Sequence, residues 1–534
     1  MIKINLLLLI ALTLIVFVGC KDLPKEDKMV LDDDENNYTE EELYRPNFHF
    51  TPHKNWMNDP NGMFYLEGKY HLFFQYYPNS TTWGPMHWGH AISTNLITWE
   101  EQQIALYPDQ KGYIFSGSAV VDNNNTSGFK SDSKIPVVAM FTYHDPKLEK
   151  EGKINYQSQG IAFSLDEGLT WEKYEGNPVI KNPGIKDFRD PKMTWDAIHN
   201  QWILILASGN KAMFYKSTNL KDWDYLSEFG ENIGAHGGIW ECPDFFPMKI
   251  ENSNETKWVL IQSLVAGGPN GGTATQYFIG DFDGKEFILD TSFKKQLAIE
   301  KAKWLDYGRD NYAGVTWSNI PKSDGRKLFI GWMSNWEYAE KVPTNKWRSS
   351  MTIPRELKLV KSDNRYTLLS QPVNEIKKFA SKIIKKQFLK IEKEIVLATK
   401  LEFDFSSLDI ELKLKITQEN TVTFSFKNNK NESIKFGLNN KEKFFFFDRM
   451  KSGNLSFSNK FAPQQSIAPF KDVKENVNVR ILLDKTSIEI FYNDGETIMT
   501  EIFFMQEPID EFTVKSEKSN SEIETITIKQ LKFE

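Results

Sequence analysis

Two cysteines among 534 residues, Cys20 and Cys242, are too few to build a disulfide framework. Stability in an oxidising compartment must then come from packing. The eight histidines are scattered, and no Cys/His group has zinc-ligand spacing. His87 and His90 stand three apart in an aromatic strand pattern, which reads as core or substrate contact rather than as a metal pair. No basic stretch is long enough for a nucleic-acid footprint, and the net charge of −7 disfavours a polyanionic partner. The apolar run Leu6 to Val18 is too short for a comfortable membrane span.

What that run does resemble is the h-region of a signal peptide. Lys3 precedes it, and Phe17-Val18-Gly19-Cys20 follows in the manner of a bacterial lipoprotein cleavage box. The reading is a signal peptide over 1–19, lipidation at Cys20, and a polar, acidic tether over 20–44. The chain is thus expected to be exported and lipid-anchored to a membrane. With Cys20 lipidated, no intramolecular disulfide is left.

Aromatic residues make up 14% of the chain, including 15 Trp, which suits β-sheet packing and sugar-stacking surfaces alike. Five apolar strand patterns recur: Tyr70 to Tyr77, Val137 to Tyr143, Trp202 to Ala207, Trp258 to Leu264 and Leu328 to Met333. Each follows a turn-rich segment carrying small or acidic residues. Among these segments are Asn58-Asp59-Pro60-Asn61-Gly62, Phe115-Ser116-Gly117-Ser118, Arg189-Asp190-Pro191, Glu241-Cys242-Pro243-Asp244 and Gly308-Arg309-Asp310-Asn311. A second repeat runs alongside: Ser93-Thr94-Asn95-Leu96 with Trp99, Ser164-Leu165-Asp166 with Trp171, and Ser217-Thr218-Asn219-Leu220 with Trp223. It reads as a tight turn into a Trp-anchored outer strand. Together they suggest an all-β fold, a five-bladed β-propeller over 45–362. Residues 363–386 read as a basic, partly helical linker. From 387 to 534 short alternating strands and the hairpin turn Asn493-Asp494-Gly495 suggest a β-sandwich.

Propeller geometry would bring the first strands, and the acids at their starts, to one funnel. Three such acids, Asp59, Asp190 and Glu241, offer a nucleophile, a proton donor and a third group for hydroxyls or developing positive charge. Turn amides and Asn neighbours favour an ionised Asp59, and the apolar Trp240, Cys242 and Pro243 around Glu241 favour a protonated one. Arg189 adjoins Asp190, to hold it ionised or to reach substrate. Cys242 reads as a small buried filler, with tuning of Glu241 as the other reading.

These motifs resemble those of the family 32 glycoside hydrolases. The resemblance runs through Trp56 to Gly62, Phe188-Arg189-Asp190-Pro191 and Trp240 to Asp244. It continues through Trp83 to His90, Phe115 to Ser118, Asp306 to Asp310 and Trp347 to Leu357, and covers about 47–534. It implies retaining hydrolysis of β-fructofuranosides with Asp59 as nucleophile, Asp190 as transition-state stabiliser and Glu241 as acid/base. It implies substrate contacts from Asn58, Gln75, Trp83, Phe115, Ser116, Arg189 and Trp336, and no metal or organic cofactor. The expected activity is release of terminal fructose from levan or inulin, with sucrose as a further substrate. An endo-acting levanase and a non-catalytic fructan-binding surface protein are the alternatives.

Overall fold

The five repeated apolar runs are the second strands of five sheets. The computed structural model describes residues 42–131, 134–416, 419–470, 475–518 and 521–533. The expected signal peptide over 1–19 and the expected lipidation at Cys20 lie outside these residues.

Each sheet is an antiparallel meander. The first contains Asn55–Leu66, Lys69–Tyr77, His87–Ser93 and Glu100–Glu101. The second contains Tyr113–Val121, Val137–His144, Gln157–Ser164 and Glu172–Lys173. The third contains Phe188–Asp196, Gln201–Ser208, Lys211–Ser217 and Asp224–Phe229. The fourth contains Trp240–Lys249, Thr256–Leu264, Ala274–Phe282 and Phe287–Leu289. The fifth runs Tyr312–Thr316, Lys327–Met333, Arg355–Ser362 and Arg365–Pro372, with Ser350–Met351 alongside. The second strands are buried almost throughout, hence their unbroken apolar runs. The first strands pack one on the next in order, and Tyr312–Thr316 returns to pack on Asn55–Leu66. Trp347–Arg348 pairs in parallel with Asn55 and Trp56, stitching the last repeat to the first.

The Ser-x-Asn/Asp repeat closes the turn between third and fourth strands. Ser93 Oγ accepts from Leu96 N at 2.8 Å, Ser217 Oγ from Leu220 N at 2.9 Å and Ser164 Oγ from Gly168 N at 2.8 Å. The hydroxyl replaces a backbone acceptor, so the short polar residue is required at the strand end. Trp171 and Trp223 donate their indole N–H back into the same turns. The histidine reading also resolves: His90 is buried and hydrogen-bonded at 3.0 Å to His71, a core pair.

The remaining residues form two six-stranded sheets. One is ordered Ala380–Ile391, Ser521–Leu531, Ser407–Lys415, Asn476–Asp484, Ser487–Tyr492, Thr497–Ile502. The other is ordered Glu394–Thr399, Glu511–Ser516, Thr421–Lys427, Ser433–Asn439, Phe444–Lys451, Ser466–Pro469. Their alternating apolar residues, such as Val422, Phe424, Phe426, Ile481 and Ile526, share one core. Asn493, Asp494 and Gly495 all have positive φ, as a tight right-twisting hairpin requires. Residues 363–386 differ from expectation. Arg365–Pro372 is the outer strand of the fifth sheet, Asn374–Phe379 a 3-10 turn, and Ala380–Ile391 an edge strand. Of the lysines that suggested a connector, Lys377 and Lys378 fall in the 3-10 turn, and Lys382, Lys385 and Lys386 lie on the edge strand, where lysine is tolerated.

Buried charges pair where the two sets of sheets meet. Arg355 bonds to Glu489 Oε2 from Nε at 3.0 Å, to Asp306 at 3.0 Å and to Thr500 at 2.6 Å. His49 bridges Asp484 and Glu489, each at 2.8 Å. Arg449 reaches Asp310 at 2.6 Å and the Tyr338 hydroxyl at 2.8 Å. The Asp306-to-Asp310 motif is therefore spent on joining the two sets of sheets.

Candidate active site

One irregularity recurs in all five first strands. In each, two residues oppose one on the second strand: Asn58-Asp59 against Gln75, Phe115-Ser116 against Thr142, Asp190-Pro191 against Leu206, Cys242-Pro243 against Gln262, and Ala313-Gly314 against Gly331. These are β-bulges, each bending its strand and re-aiming a side chain. Asp59 and Asp190 thus sit on bulges within strands, and Glu241 immediately before one, not on turns before the strands. Pro191 and Pro243 follow from this: an unpaired bulge position has no ladder hydrogen bond to lose. Asp190, Cys242 and Ala313 have φ of 62°, 46° and 54°, backbone strain on the order of 1–3 kcal/mol each.

The bulges open onto a cavity of 480 Å³. All ten site residues read from the sequence line it: Asn58, Asp59, Gln75, Trp83, Phe115, Ser116, Arg189, Asp190, Glu241 and Trp336. Asn58, Asp59, Gln75, Ser116 and Asp190 are buried and form the floor, while Trp83, at 38% exposure, stands on the rim. Trp336 stacks on Trp56 at 5.7 Å, which fixes its plane.

Each acid is held by a neighbouring sheet. Ser116 Oγ donates to Asp59 Oδ2 at 2.6 Å, and Asn58 donates to Asp59 Oδ1 at 2.9 Å. Cys242 N donates to Asp190 Oδ2 at 3.0 Å, while its thiol lies 3.4 Å from Asp59 Oδ2 and 3.6 Å from Asp190 Oδ2. Cys242 is therefore both a small buried filler and a donor shared by two acids. Glu241 receives Arg189 at 2.8 Å on Oε1 and the Tyr312 hydroxyl on Oε2. Arg189 also holds Asp187 at 2.8 Å.

That last geometry corrects the reading of Arg189 as the partner of Asp190. Asp190 sits on the bulge with φ of 62°, which breaks strand alternation, so both residues face the cavity while Arg189 hydrogen-bonds to Glu241 and Asp187 instead. Asp190 hydrogen-bonds no cation, and burial pushes its carboxyl up to about 7, with the more distant Arg189 charge opposing. Burial likewise raises Asp59, opposed by the Ser116 hydrogen bond and reinforced by the Glu241 charge. The turn amides expected to keep Asp59 ionised are outweighed by desolvation.

Residues missed from the sequence complete the wall: His144, Glu149, Tyr156, Gln157, Asp187, Val265 and Glu340. Two carry a usable signal. His144 ends its second strand two residues past Thr142, the residue opposite the Phe115-Ser116 bulge, and so belongs at the cavity end of its apolar run. Gln157 opens the third strand directly opposite His144.

Carboxylates from three sheets, converging on one aromatic-rimmed cavity, define a site of the glycoside-hydrolase class. The chain belongs to glycosyl hydrolases family 32. Residues 49–372 match the Glycosyl hydrolases family 32 N-terminal domain, and residues 375–530 match the Glycosyl hydrolases family 32 C terminal. It is 44% identical to the levanase of Bacillus subtilis (strain 168) over 503 residues, 93% of this chain and 72% of that one. It is 39% identical to the extracellular exo-inulinase of Aspergillus niger over 492 residues, 86% and 89% of the two chains. The crystal structure of exo-inulinase from Aspergillus awamori superposes with a TM-score of 0.82 at 35% identity, covering 92% of this chain and 98% of that one. The fructofuranosidase of Schwanniomyces occidentalis, complexed with fructose, gives the same values, TM-score 0.82 and 35% identity over 92% and 98% of the chains.

Proposed function

We propose that this chain is a fructan hydrolase that removes terminal fructose units with retention at the anomeric carbon. The observation that carries the exo mode is the shape of the site. Its floor is made of buried Asn58, Asp59, Gln75 and Ser116 beneath the rim residue Trp83, and this arrangement is read as a pocket that takes a chain end. The relatives named levanase and exo-inulinase support the substrate class.

In this reading Asp59 attacks the anomeric carbon and forms the fructosyl ester. Glu241 gives its proton to the departing glycosidic oxygen, then takes one from the water that cleaves the ester. Asp190 and Arg189 hold ring hydroxyls, and Asp190 stabilises the oxocarbenium-like transition state. Trp83, Phe115 and Trp336 supply apolar faces for the sugar. The five meanders whose first strands close on one another are read as propeller blades over 45–362, and the paired six-stranded sheets as a sandwich. A lipid on Cys20 would place the enzyme at a membrane, where polysaccharide is met outside the cytoplasm.

The test is product analysis on levan, inulin and sucrose at early times. Free fructose alone, rising linearly, is expected, and the relative rates name the preferred linkage. A ladder of oligosaccharides would mean endo cleavage. Polysaccharide retention without product would mean a binding protein.

A further inference from the structure

We propose that His144 and Gln157 are positioning residues that fix the Arg189 fork against Glu241, a proposal that rests on reading Glu241 as the acid/base. A continuous polar chain joins the cavity wall to that carboxylate. His144 Nε2 lies 3.0 Å from Glu149 Oε2, and Gln157 Nε2 lies 3.3 Å from His144 Nδ1. Gln157 Oε1 accepts from Phe188 N at 2.8 Å and from Arg189 Nη1 at 3.4 Å. Arg189 Nη2 then meets Glu241 Oε1 at 2.8 Å.

The donors and acceptors along this chain leave a single arrangement. Phe188 N–H and the guanidinium can only donate, so Gln157 must turn its oxygen toward them. Its NH2 then faces His144, whose Nδ1 must accept and whose proton must sit on Nε2, where Glu149 takes it. Turning the Gln157 amide over would set donor against donor at Phe188 and Arg189. The chain is therefore a directional lock on a neutral imidazole, and burial works in the same sense by lowering the His144 pKa. The ring is also gripped by stacking: Phe115 lies parallel to it at 4.3 Å and Tyr156 meets it edge-on at 5.2 Å. His144 and Gln157 are both buried, so neither is a rim residue with a loose rotamer.

What this supplies to the reaction is orientation. Arg189 is held from one side by Asp187 and Gln157 and presents its other nitrogen to Glu241. A fork released from Gln157 can swing, and Glu241, resting on it, loses its aim at the glycosidic oxygen. Misplacement of a catalytic group by a fraction of an ångström to an ångström costs kcat more than binding.

Three substitutions test the lock. His144→Phe keeps the flat ring and its stacking but breaks both hydrogen bonds; kcat for fructose release should fall about tenfold to a hundredfold, with KM within about threefold. Gln157→Leu should do the same. His144→Gln restores an acceptor toward Gln157 and a donor toward Glu149, and should recover kcat to within about threefold of wild type. A role in packing alone predicts the reverse order, with Phe tolerated and Gln damaging, and that order would overturn the proposal. The imidazole nitrogen NMR shifts decide it without any substrate, with His144→Phe serving to assign them. Nε2 protonated with Nδ1 bare in wild type is expected, with the Nδ1 resonance shifted in Gln157→Leu, where its hydrogen-bond donor is gone. Nδ1 protonated in wild type, or an Nδ1 resonance unmoved by Gln157→Leu, would overturn the lock, even if the wild type released no fructose and the fructan reading itself had failed.

Discussion

Asp59 and Glu489 are both buried carboxylates, one on the floor of the cavity and one where the two sets of sheets meet. Their proton affinities move in opposite directions. Burial raises Asp59, and its hydrogen bonds come from neutral groups, Ser116, Asn58 and the Cys242 thiol. Burial acts on Glu489 too, but the Arg355 charge and the His49 hydrogen bond outweigh it and hold the group below the usual carboxylate range. Desolvation alone therefore does not decide the state of an acid in this protein; the nearest cation does. At the interface a charge is locked by a fixed counter-charge and contributes geometry. In the cavity Arg189 hydrogen-bonds to Glu241 and acts on Asp190 through its charge alone, so Asp59 and Asp190 stay ready to respond to what enters.

The comparison breaks most visibly at its two poles. Asp59→Asn should lower kcat by about 10⁴-fold or more while leaving the protein folded, and should leave the thermal midpoint unchanged or higher, because a costly buried acid is removed. Fructose release and a melting curve on the same preparation check this; lost stability with retained activity would make Asp59 a structural acid. Arg355→Met should do the converse. It strands Glu489 and Asp306 without their cation, for a loss on the order of 3–5 kcal/mol in a denaturant titration, with kcat of the folded fraction nearly unchanged.

The same contrast explains what was legible in the sequence. Asp59, Asp190 and Glu241 stood out because each lies within two residues of a proline in register with a repeated apolar strand, and the repeat places first strands side by side. The Ser-x-Asn/Asp turns were legible because a side-chain hydroxyl replaces a backbone partner, a local effect. Partnerships between sheets were not legible. Arg189 adjoins Asp190 in the chain, yet it hydrogen-bonds to Glu241 of the next sheet, and no local rule names Tyr312 as the second holder of that carboxylate. The bulges were hidden for the same reason: they are defined by what lies opposite, Gln75, Thr142 or Gln262, in another strand. His144 and Gln157 carried no motif, only a position at the cavity end of their strands.

A gentler probe of the interface is pH. Burial alone would lower the His49 pKa, but the hydrogen bonds and charges of Asp484 and Glu489 raise it from 6.5 to about 9. A group raised on folding contributes its stability in full below its unfolded value and loses it as pH rises through the folded one. The unfolding free energy should therefore decline between about pH 6.5 and about pH 9 by roughly 3 kcal/mol. His49→Gln, measured by denaturant midpoints across that window, should start less stable and decline less. An unchanged slope would mean that the imidazole is neutral and the two carboxylates are held by Arg355 and backbone amides alone.

The smallest effect expected is at the cavity, and it tests the claim that neutral donors set the readiness of Asp59. Ser116 Oγ, at 2.6 Å, stabilises the Asp59 anion and so works against burial. Ser116→Ala removes a hydrogen bond to a charged group, worth about 1.5 kcal/mol, or about one pKa unit. Removing a stabiliser of the anion raises the pKa further, so the acidic limb of the kcat/KM profile should move to higher pH by up to about one unit. The alkaline limb should stay in place, because the Ser116 hydroxyl donates to Asp59. A shift of both limbs together would mean that the Ser116 hydroxyl is not what sets Asp59 apart. In that case the cavity acids would be set by each other's charge more than by the hydroxyl, and their contrast with Glu489 would lie in the sign of the nearest charge rather than in its absence.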